Sequence, residues 1–183
     1  MAIEIPKQLR IKGMRFILVG KKLKRPIEKD WAGKNNYEWN DPKLQKHLSA
    51  DGNYGVLCGI QTDKGFFVAL DGDEKEFVQV ILKSLKNNLL VKTGSDGRHT
   101  YLFHDEPIQK IVLQKDKKHF GELQSTGSQV VGPNSIHPNG NKYEIVSGKE
   151  IKKIKTSDLL IVLKDYMGEL DATEESIKSE LKQ

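Results

Sequence analysis

The chain has 183 residues, of which 30 are Lys or Arg and 25 are Asp or Glu, for a formal charge of +5. That length suits one domain with a sizeable core, and the basic excess lies in residues 1–148 (23 basic against 17 acidic), not in residues 149–183 (7 against 8). Cys58 is the single cysteine, which excludes an internal disulfide and a cysteine-cluster zinc site, and no run reaches the roughly 18 apolar residues of a membrane span.

A basic body suits a polyanionic partner such as nucleic acid. The opening MAIEIPKQLRIKG lacks the apolar core of a signal peptide, so a soluble, cytoplasmic protein without membrane association is expected. In chain order, MRFILVG (14–20) reads as a buried strand with a glycine stop. A loop follows that carries Lys21, Lys22, Lys24 and Arg25, then Trp31 and Trp39. DPKLQKHLSA predicts a short helix with Asp41 as cap and Pro42 in its first turn. NYGVLCGI and GFFVAL read as two strands joined through QTDKG, a hairpin-length connection.

Past the acids of ALDGD, DEKEFVQVILKSLKNN predicts a helix with Phe77, Val78, Ile81 and Leu85 at helical spacing. LLVKTGSDGRHTYLF reads as strand, glycine-bracketed turn and strand. HFGELQS and SQVVG are two further strands, PNSIHPNG is a loop, and KYEIV is one more strand. TSDLLIVLKDYMGEL predicts an amphipathic helix capped by Thr156 or Ser157, with Leu159, Leu163, Tyr166 and Leu170 on its buried stripe. The last stretch, 171–183, reads as a charged helical stub or linker behind a domain spanning 1–170. Many strands with hairpin-length links and few helices predict an α+β fold with a mostly antiparallel sheet.

Four stretches carry residues suited to chemistry. In FVALDGD, Asp71 and Asp73 lie two apart at the tip of a strand and therefore point the same way. Two such carboxylates suit a divalent cation, although a solvated Asp-Gly turn has the same pattern. In TGSDGRHTYLF, the glycine turn with Arg98 and His99 offers donors to an anion, or is a plain hairpin with a surface histidine. In HFGELQ, Glu122 is either a solvent-face residue or a third carboxylate. In VVGPNSIHPNGNKYE, Ser135 and His137 share one orientation if extended, with Lys142 soon after, and the group suits phosphate contacts or is only a loop.

Taken together, KRPIEKDW, NYGVLCG, FFVALDGD, TGSDGRHTYLF, FGELQ and VVGPNSIHPNGNKYE resemble the amino-terminal domain of bifunctional DNA primase/polymerases of the archaeo-eukaryotic primase superfamily, over roughly residues 14–148. The resemblance implies that Asp71 and Asp73 form the first acidic motif and that Glu122 stands at the third, where Asp is also common. These three would hold two Mg²⁺ or Mn²⁺ ions. His99 matches the histidine that contacts the phosphates of the incoming nucleotide, and Ser135 and His137 match the proline-serine-histidine segment beside it, here with Asn134 between Pro133 and Ser135. The implied fold is a catalytic unit similar to an RNA-recognition motif, packed with a second small α/β unit. Two departures stand out: one cysteine cannot build the zinc stem of some relatives, and the helical primase module or helicase often fused to them does not follow in this sequence.

The expected activity is template-directed nucleotidyl transfer, in which nucleoside triphosphates are joined to a primer on a single-stranded DNA template. Catalysis is expected from Asp71, Asp73, Glu122 and His99, and triphosphate binding from Arg98, His99, Ser135, His137 and Lys142. Lys21, Lys22, Lys24 and Arg25 are candidates for template backbone contacts, with Trp31 or Trp39 stacking on a base. A separate or fused helicase or helical primase module is a further expected partner. The rival readings are a metal-dependent nuclease or phosphodiesterase on the same acids, and an inactive nucleic-acid-binding module.

Overall fold

Two β-sheets share one buried core and the larger sheet buries a second on its other face, with the acids of ALDGD at the end of the strand that enters both. The computed structural model describes residues 2–74, 77–79, 83, 85 and 87–168. The strands are β1 (Phe16–Val19), β2 (Asn53–Leu57), β3 (Gln61–Thr62), β4 (Gly65–Gly72), β5 (Leu90–Lys92), β6 (Arg98–His104), β7 (Ile111–Lys115), β8 (Lys118–Gln124), β9 (Gln129–Val131), β10 (Glu144–Ser147) and β11 (Lys152–Lys153). The smaller sheet has the order β1-β2-β9 and the larger β10-β5-β6-β4-β8-β7, with β3 added to β4 and β11 to β6. Only the β11 pairing is parallel among these strands, so the architecture is the mostly antiparallel α+β class that the hairpin-rich sequence predicts.

β4 explains why FFVAL is apolar without alternation. Phe67 and Ala69 point into a core shared with Phe16, Leu18, Tyr54 and Val56 of the smaller sheet, while Val68 and Leu70 point into a second core with Leu102, Leu113, Leu123, Leu159 and Leu163. A strand buried on both faces reads as a continuous hydrophobic run, and each fully buried aliphatic side chain contributes roughly 1.5–3 kcal/mol. Helix α1 (Pro42–Ser49) closes the first core with Leu44 and Leu48. As predicted, Asp41 caps it by accepting a hydrogen bond from the Lys43 amide at 2.8 Å, with Pro42 in the first turn. Helix α2 (Thr156–Leu163) closes the second core with Leu159 and Leu163. Tyr166 follows in a 3₁₀ turn, half-buried, with its ring 4.8 Å from that of Phe77 and 5.1 Å from that of Phe120.

Several expectations need correction. β2 and β4 do not form a hairpin: QTDKG closes a small hairpin between β3 and β4, and β2 pairs with β1 and β9 in the other sheet. The turn chemistry was local and legible, whereas the strand's partner is decided by burial between sheets. Thr156 is the first residue of α2, not its cap. Asp105, about fifty residues upstream, accepts from the Thr156 amide at 2.7 Å and from its hydroxyl at 2.8 Å, so the free helix end is satisfied from across the fold. β7 and β11 carry no strong sequence signal, being an alternating edge strand and a two-residue Lys-Lys segment. Phe77 and Leu85 are buried in the second core and Val78 is buried beside Gly72, while the predicted positions Ile81 and Leu170, and the stub at 171–183, lie outside the described residues.

Candidate active site

The acids are set by strand register. Asp71 on β4 is directly opposite His99 on β6 and Glu122 on β8, so imidazole and both carboxylates stand in one row on one face of the larger sheet. The His99 Nε2 lies 3.4 Å from the Asp71 Oδ1. Asp73 follows directly after β4, its amide donating to the Phe120 carbonyl at 3.1 Å, which keeps it beside β8.

Gly121 makes this alignment possible. Its φ is +148°, and a Cβ there would come within 2.0 Å of the Asp71 carbonyl oxygen, so no side chain fits where β8 approaches β4. The register between β7 and β8 slips at the same place, where Leu113 opposes Gly121 and Gln114 opposes His119, leaving Phe120 as the extra residue. This bulge lets Phe120 enter the second core and turns His119 on to the face of Glu122. His119 then stands between two acids, Nδ1 3.7 Å from Asp73 Oδ2 and Nε2 3.9 Å from Glu122 Oε1. Glu122 also accepts from Gln124 Nε2 at 3.0 Å and lies 3.5 Å from the Lys110 ammonium.

Electrostatics pull the two aspartates apart. Burial works to raise the Asp71 carboxyl, but His99, with help from Lys24 and Lys110, outweighs it and holds Asp71 below its ordinary value. Asp73 is raised, first by burial and then by the charges of Asp71 and Glu122, against the opposing pull of His119. Uncompensated negative charge of this kind, on hard oxygen donors, is what a Mg²⁺ or Mn²⁺ ion would relieve, so the donor chemistry fits such an ion. The side chains are not closed around one: among the described residues, no three His, Cys, Asp or Glu groups converge tightly enough to hold a metal, and His119 and Lys110 take up the space between the acids.

On the His99 side the row opens into a cleft of about 180 Å³ between the sheets. Asp71, Asp73 and His99 line it with Thr93 and Ser95 of the turn between β5 and β6. From the other wall come Lys24, Gln129, Val130 and Val131, with Tyr143 at the back. Gln129 Nε2 donates to the Lys24 carbonyl at 2.9 Å and so anchors the basic loop over the cleft, while its Oε1 is buried without a hydrogen-bond partner among the described residues. Tyr143 joins two histidines, its ring centroid 5.9 Å from those of both His99 and His137. The Asn139 backbone amide donates to His137 Nδ1 at 3.2 Å, which leaves the proton on Nε2, buried and without a hydrogen-bond partner among the described residues. Gly94 packs so closely under His137 that a Cβ would lie 2.2 Å from the His137 Cβ.

The fold thus gathers Asp71, Asp73, His99 and Glu122, with His137 adjoining through Tyr143. Ser135 is fully buried beneath, its Oγ accepting from the Tyr54 amide at 3.4 Å. Arg98 turns back on its own loop, donating to the carbonyls of Asp96 and Gly97 at 2.7 and 2.9 Å, and Lys142 is exposed. Trp39 is half-buried against the first core under the Arg10 guanidinium, and Trp31 is half-buried in the preceding loop; neither lines the cleft. Thr93, Ser95, Gln129, Tyr143, His119 and Lys110 were not singled out in the sequence. For His119 a signal exists, since a glycine directly before Glu122 inside a strand marks a bulge.

No helix among the described residues is long and apolar enough to cross a membrane. A comparison with curated proteins returns no match. The family model of the bifunctional DNA primase/polymerase N-terminal domain matches residues 8–157, a span that contains every residue of the row and of the cleft. The chain therefore belongs to the family of bifunctional DNA primase/polymerase N-terminal domains.

Proposed function

We propose that the protein is a template-directed nucleotidyltransferase, a DNA primase and polymerase that adds nucleotides to a primer. The observation that carries this reading is the single row of His99, Asp71 and Glu122 across three neighbouring strands, with Asp73 beside it and a cleft lined largely by polar side chains at one end. In the reaction, the primer 3′ oxygen bonds to the α-phosphorus of a nucleoside triphosphate as the bond from that phosphorus to the pyrophosphate oxygen breaks. The hydroxyl proton passes to water.

Asp71, Asp73 and Glu122 would hold two divalent cations, Mg²⁺ or Mn²⁺, which when bound lower the pKa of the attacking hydroxyl and neutralise charge on the departing pyrophosphate. The chain's own residues do the positioning. His99, fixed by its neighbour Asp71 and walled by Tyr143, donates to the triphosphate, the hydroxyls of Thr93 and Ser95 supply further donors, and His137 backs the site through Tyr143. Ser135 supports the His137 loop from below; Arg98 would have to leave the Asp96 and Gly97 carbonyls to contact the phosphates, and the exposed Lys142 would contact them from outside the cleft. The finer fold assignment, an RNA-recognition-motif-like unit packed with a second α/β unit, belongs to the same reading, as does the boundary near residue 170.

Primer extension with ribo- and deoxyribonucleotides, in Mg²⁺ or Mn²⁺, tests the proposal. Wild type extends; Asp71→Ala with Asp73→Ala loses on the order of a thousandfold in rate or more while remaining folded. His99→Ala raises the nucleotide KM. Hydrolysis of DNA without added triphosphates, and no extension, would assign the acids to a nuclease instead.

A further inference from the structure

The basic cluster of Lys21, Lys22, Lys24 and Arg25 is nearly contiguous in sequence, but the fold divides it. After β1 the chain turns back on itself: the Leu23 amide donates to the Gly20 carbonyl at 2.9 Å, Pro26 bridges to Val19, and the Ile27 amide donates to the Leu18 carbonyl at 3.0 Å. Lys22 takes the left-handed conformation in this turn, with φ at +53°. Lys21 pairs with Asp51, Nζ to Oδ2 at 3.3 Å. Lys22 and Arg25 are exposed and line no part of the cleft. Lys24 does line it, and is the single Lys or Arg to do so among the described residues.

The backbone of Lys24 is held while its ammonium is free. Two amide side chains from neighbouring strands of the smaller sheet bind consecutive carbonyls of the turn: Asn53 Nδ2 on β2 donates to Leu23 at 3.2 Å, and Gln129 Nε2 on β9 donates to Lys24 at 2.9 Å. Asn53 is fully buried; it also donates to the Ile136 carbonyl at 2.7 Å and accepts from the Ile136 amide at 2.8 Å, so one side chain ties this turn to the loop of Ser135 and His137. Buried polar groups satisfied in this way fix what they touch. The Lys24 ammonium makes no hydrogen bond or ion pair among the described residues, and faces a wall that carries Asp71 and Asp73. Walls of opposite charge held apart suit a ligand that is anionic towards one and carries a cation towards the other, as a nucleoside triphosphate with its divalent ion does. A lysine brings a compact charge with three donors to such phosphate oxygens. We propose that Lys24 binds the phosphates of the incoming nucleotide and that Gln129 is a positioning residue that holds it over the cleft. This assignment rests on the nucleotidyl-transfer reading; it moves Lys24 from the template side to the nucleotide side, and of the basic cluster only Lys22 and Arg25 then remain free for a template strand.

The test measures, on the full chain, the Kd of a nucleoside triphosphate with Mg²⁺ and the Kd of single-stranded DNA over a range of salt. Lys24→Ala weakens triphosphate binding about tenfold or more and leaves the DNA affinity and its salt slope unchanged. Gln129→Leu, which keeps the bulk of the side chain but cannot donate, weakens triphosphate binding about threefold, and only where Lys24 is present: added to Lys24→Ala it has no further effect, because residues that act through one contact are not additive. Wild-type triphosphate affinity in Lys24→Ala, or a DNA salt slope lowered by the loss of one phosphate contact, overturns the assignment of Lys24. A Gln129→Leu loss of equal size in both backgrounds overturns its positioning role, since a direct contact or a general loosening of the fold adds to the loss of Lys24. If wild type extends primers while Lys24→Ala binds the triphosphate normally, this assignment alone has failed. If wild type incorporates no nucleotide at all, it is the transfer reading that has failed.

Discussion

Two hairpins flank β4, and they treat the same face of the sheet differently. The β5–β6 hairpin brings His99, Thr93 and Ser95 under the smaller sheet, where His99 is 5% exposed and its Nδ1 has no partner. The β7–β8 hairpin brings Glu122, His119 and Val112 to that face outside the first core as the described residues form it, so Glu122 is satisfied by Gln124 and Lys110 and Val112 is 48% exposed. A covered face builds a small polar cleft with precisely fixed donors; an uncovered one builds an open bench. One row of residues thereby runs from a covered polar cleft at one end to an exposed sheet edge at the other.

The comparison breaks most completely at Gly121, which holds the two hairpins' carboxylate and imidazole in line through β4. Gly121→Val places a side chain against the Asp71 carbonyl at a φ of +148°, and β8 must part from β4 to admit it. The expected loss is about 4 kcal/mol or more, read from the denaturant midpoint. Gly127→Ala, at a φ of +75° with nothing within 4 Å of its Cβ, is the control and costs about 1 kcal/mol. Equal losses at the two glycines would mean that backbone conformation, not the close approach of β8 to Asp71, governs the site.

A second, smaller effect tests the one-sidedness of β7. Leu113→Ala removes a fully buried side chain from the second core and should cost about 3 kcal/mol, whereas Val112→Ala stays within about 0.5 kcal/mol. Chemical denaturation of the two variants decides it: a large loss at Val112 would show that something covers that face. β7 is also where sequence reading failed, and the reason is physical. An edge strand buried on one side shows only one fully buried position in five, as Leu113 does in Ile111–Lys115, and that pattern does not stand out from a loop. β4 was legible because it is buried on both sides, and ALDGD marks its exit by a sharp change to charge. The candidate residues Asp71, Asp73, His99 and Glu122 could be picked out for their chemistry. Gln129, Tyr143 and the Asp105 cap of α2 could not, since each acts across a distance that only packing between the sheets and helices determines.

The finest distinction lies between the two aspartates themselves, measured in chelator with no divalent ion present. Asp71 titrates below its ordinary value, so it binds protons less tightly folded than unfolded; its contribution to stability is present above about pH 4 and is lost as pH falls through the folded value. Asp73 is raised, so its ionised form costs stability at neutral pH, and acid removes that cost. Asp71→Asn should therefore lower the denaturant midpoint at pH 7, with the gap to wild type closing in acid. Asp73→Asn should raise the midpoint at pH 7 slightly, a stability gain of less than about 1 kcal/mol, because that side chain is 62% exposed and solvent screens it, and the gain should vanish near pH 3. Opposite signs for the two substitutions are expected because His99 outweighs the burial of one carboxylate, whereas for the other burial and the charges of Asp71 and Glu122 outweigh His119. The same sign for both would mean that His99 does not distinguish them, and the covered end of the row would lose its claim to be electrostatically different from the open one.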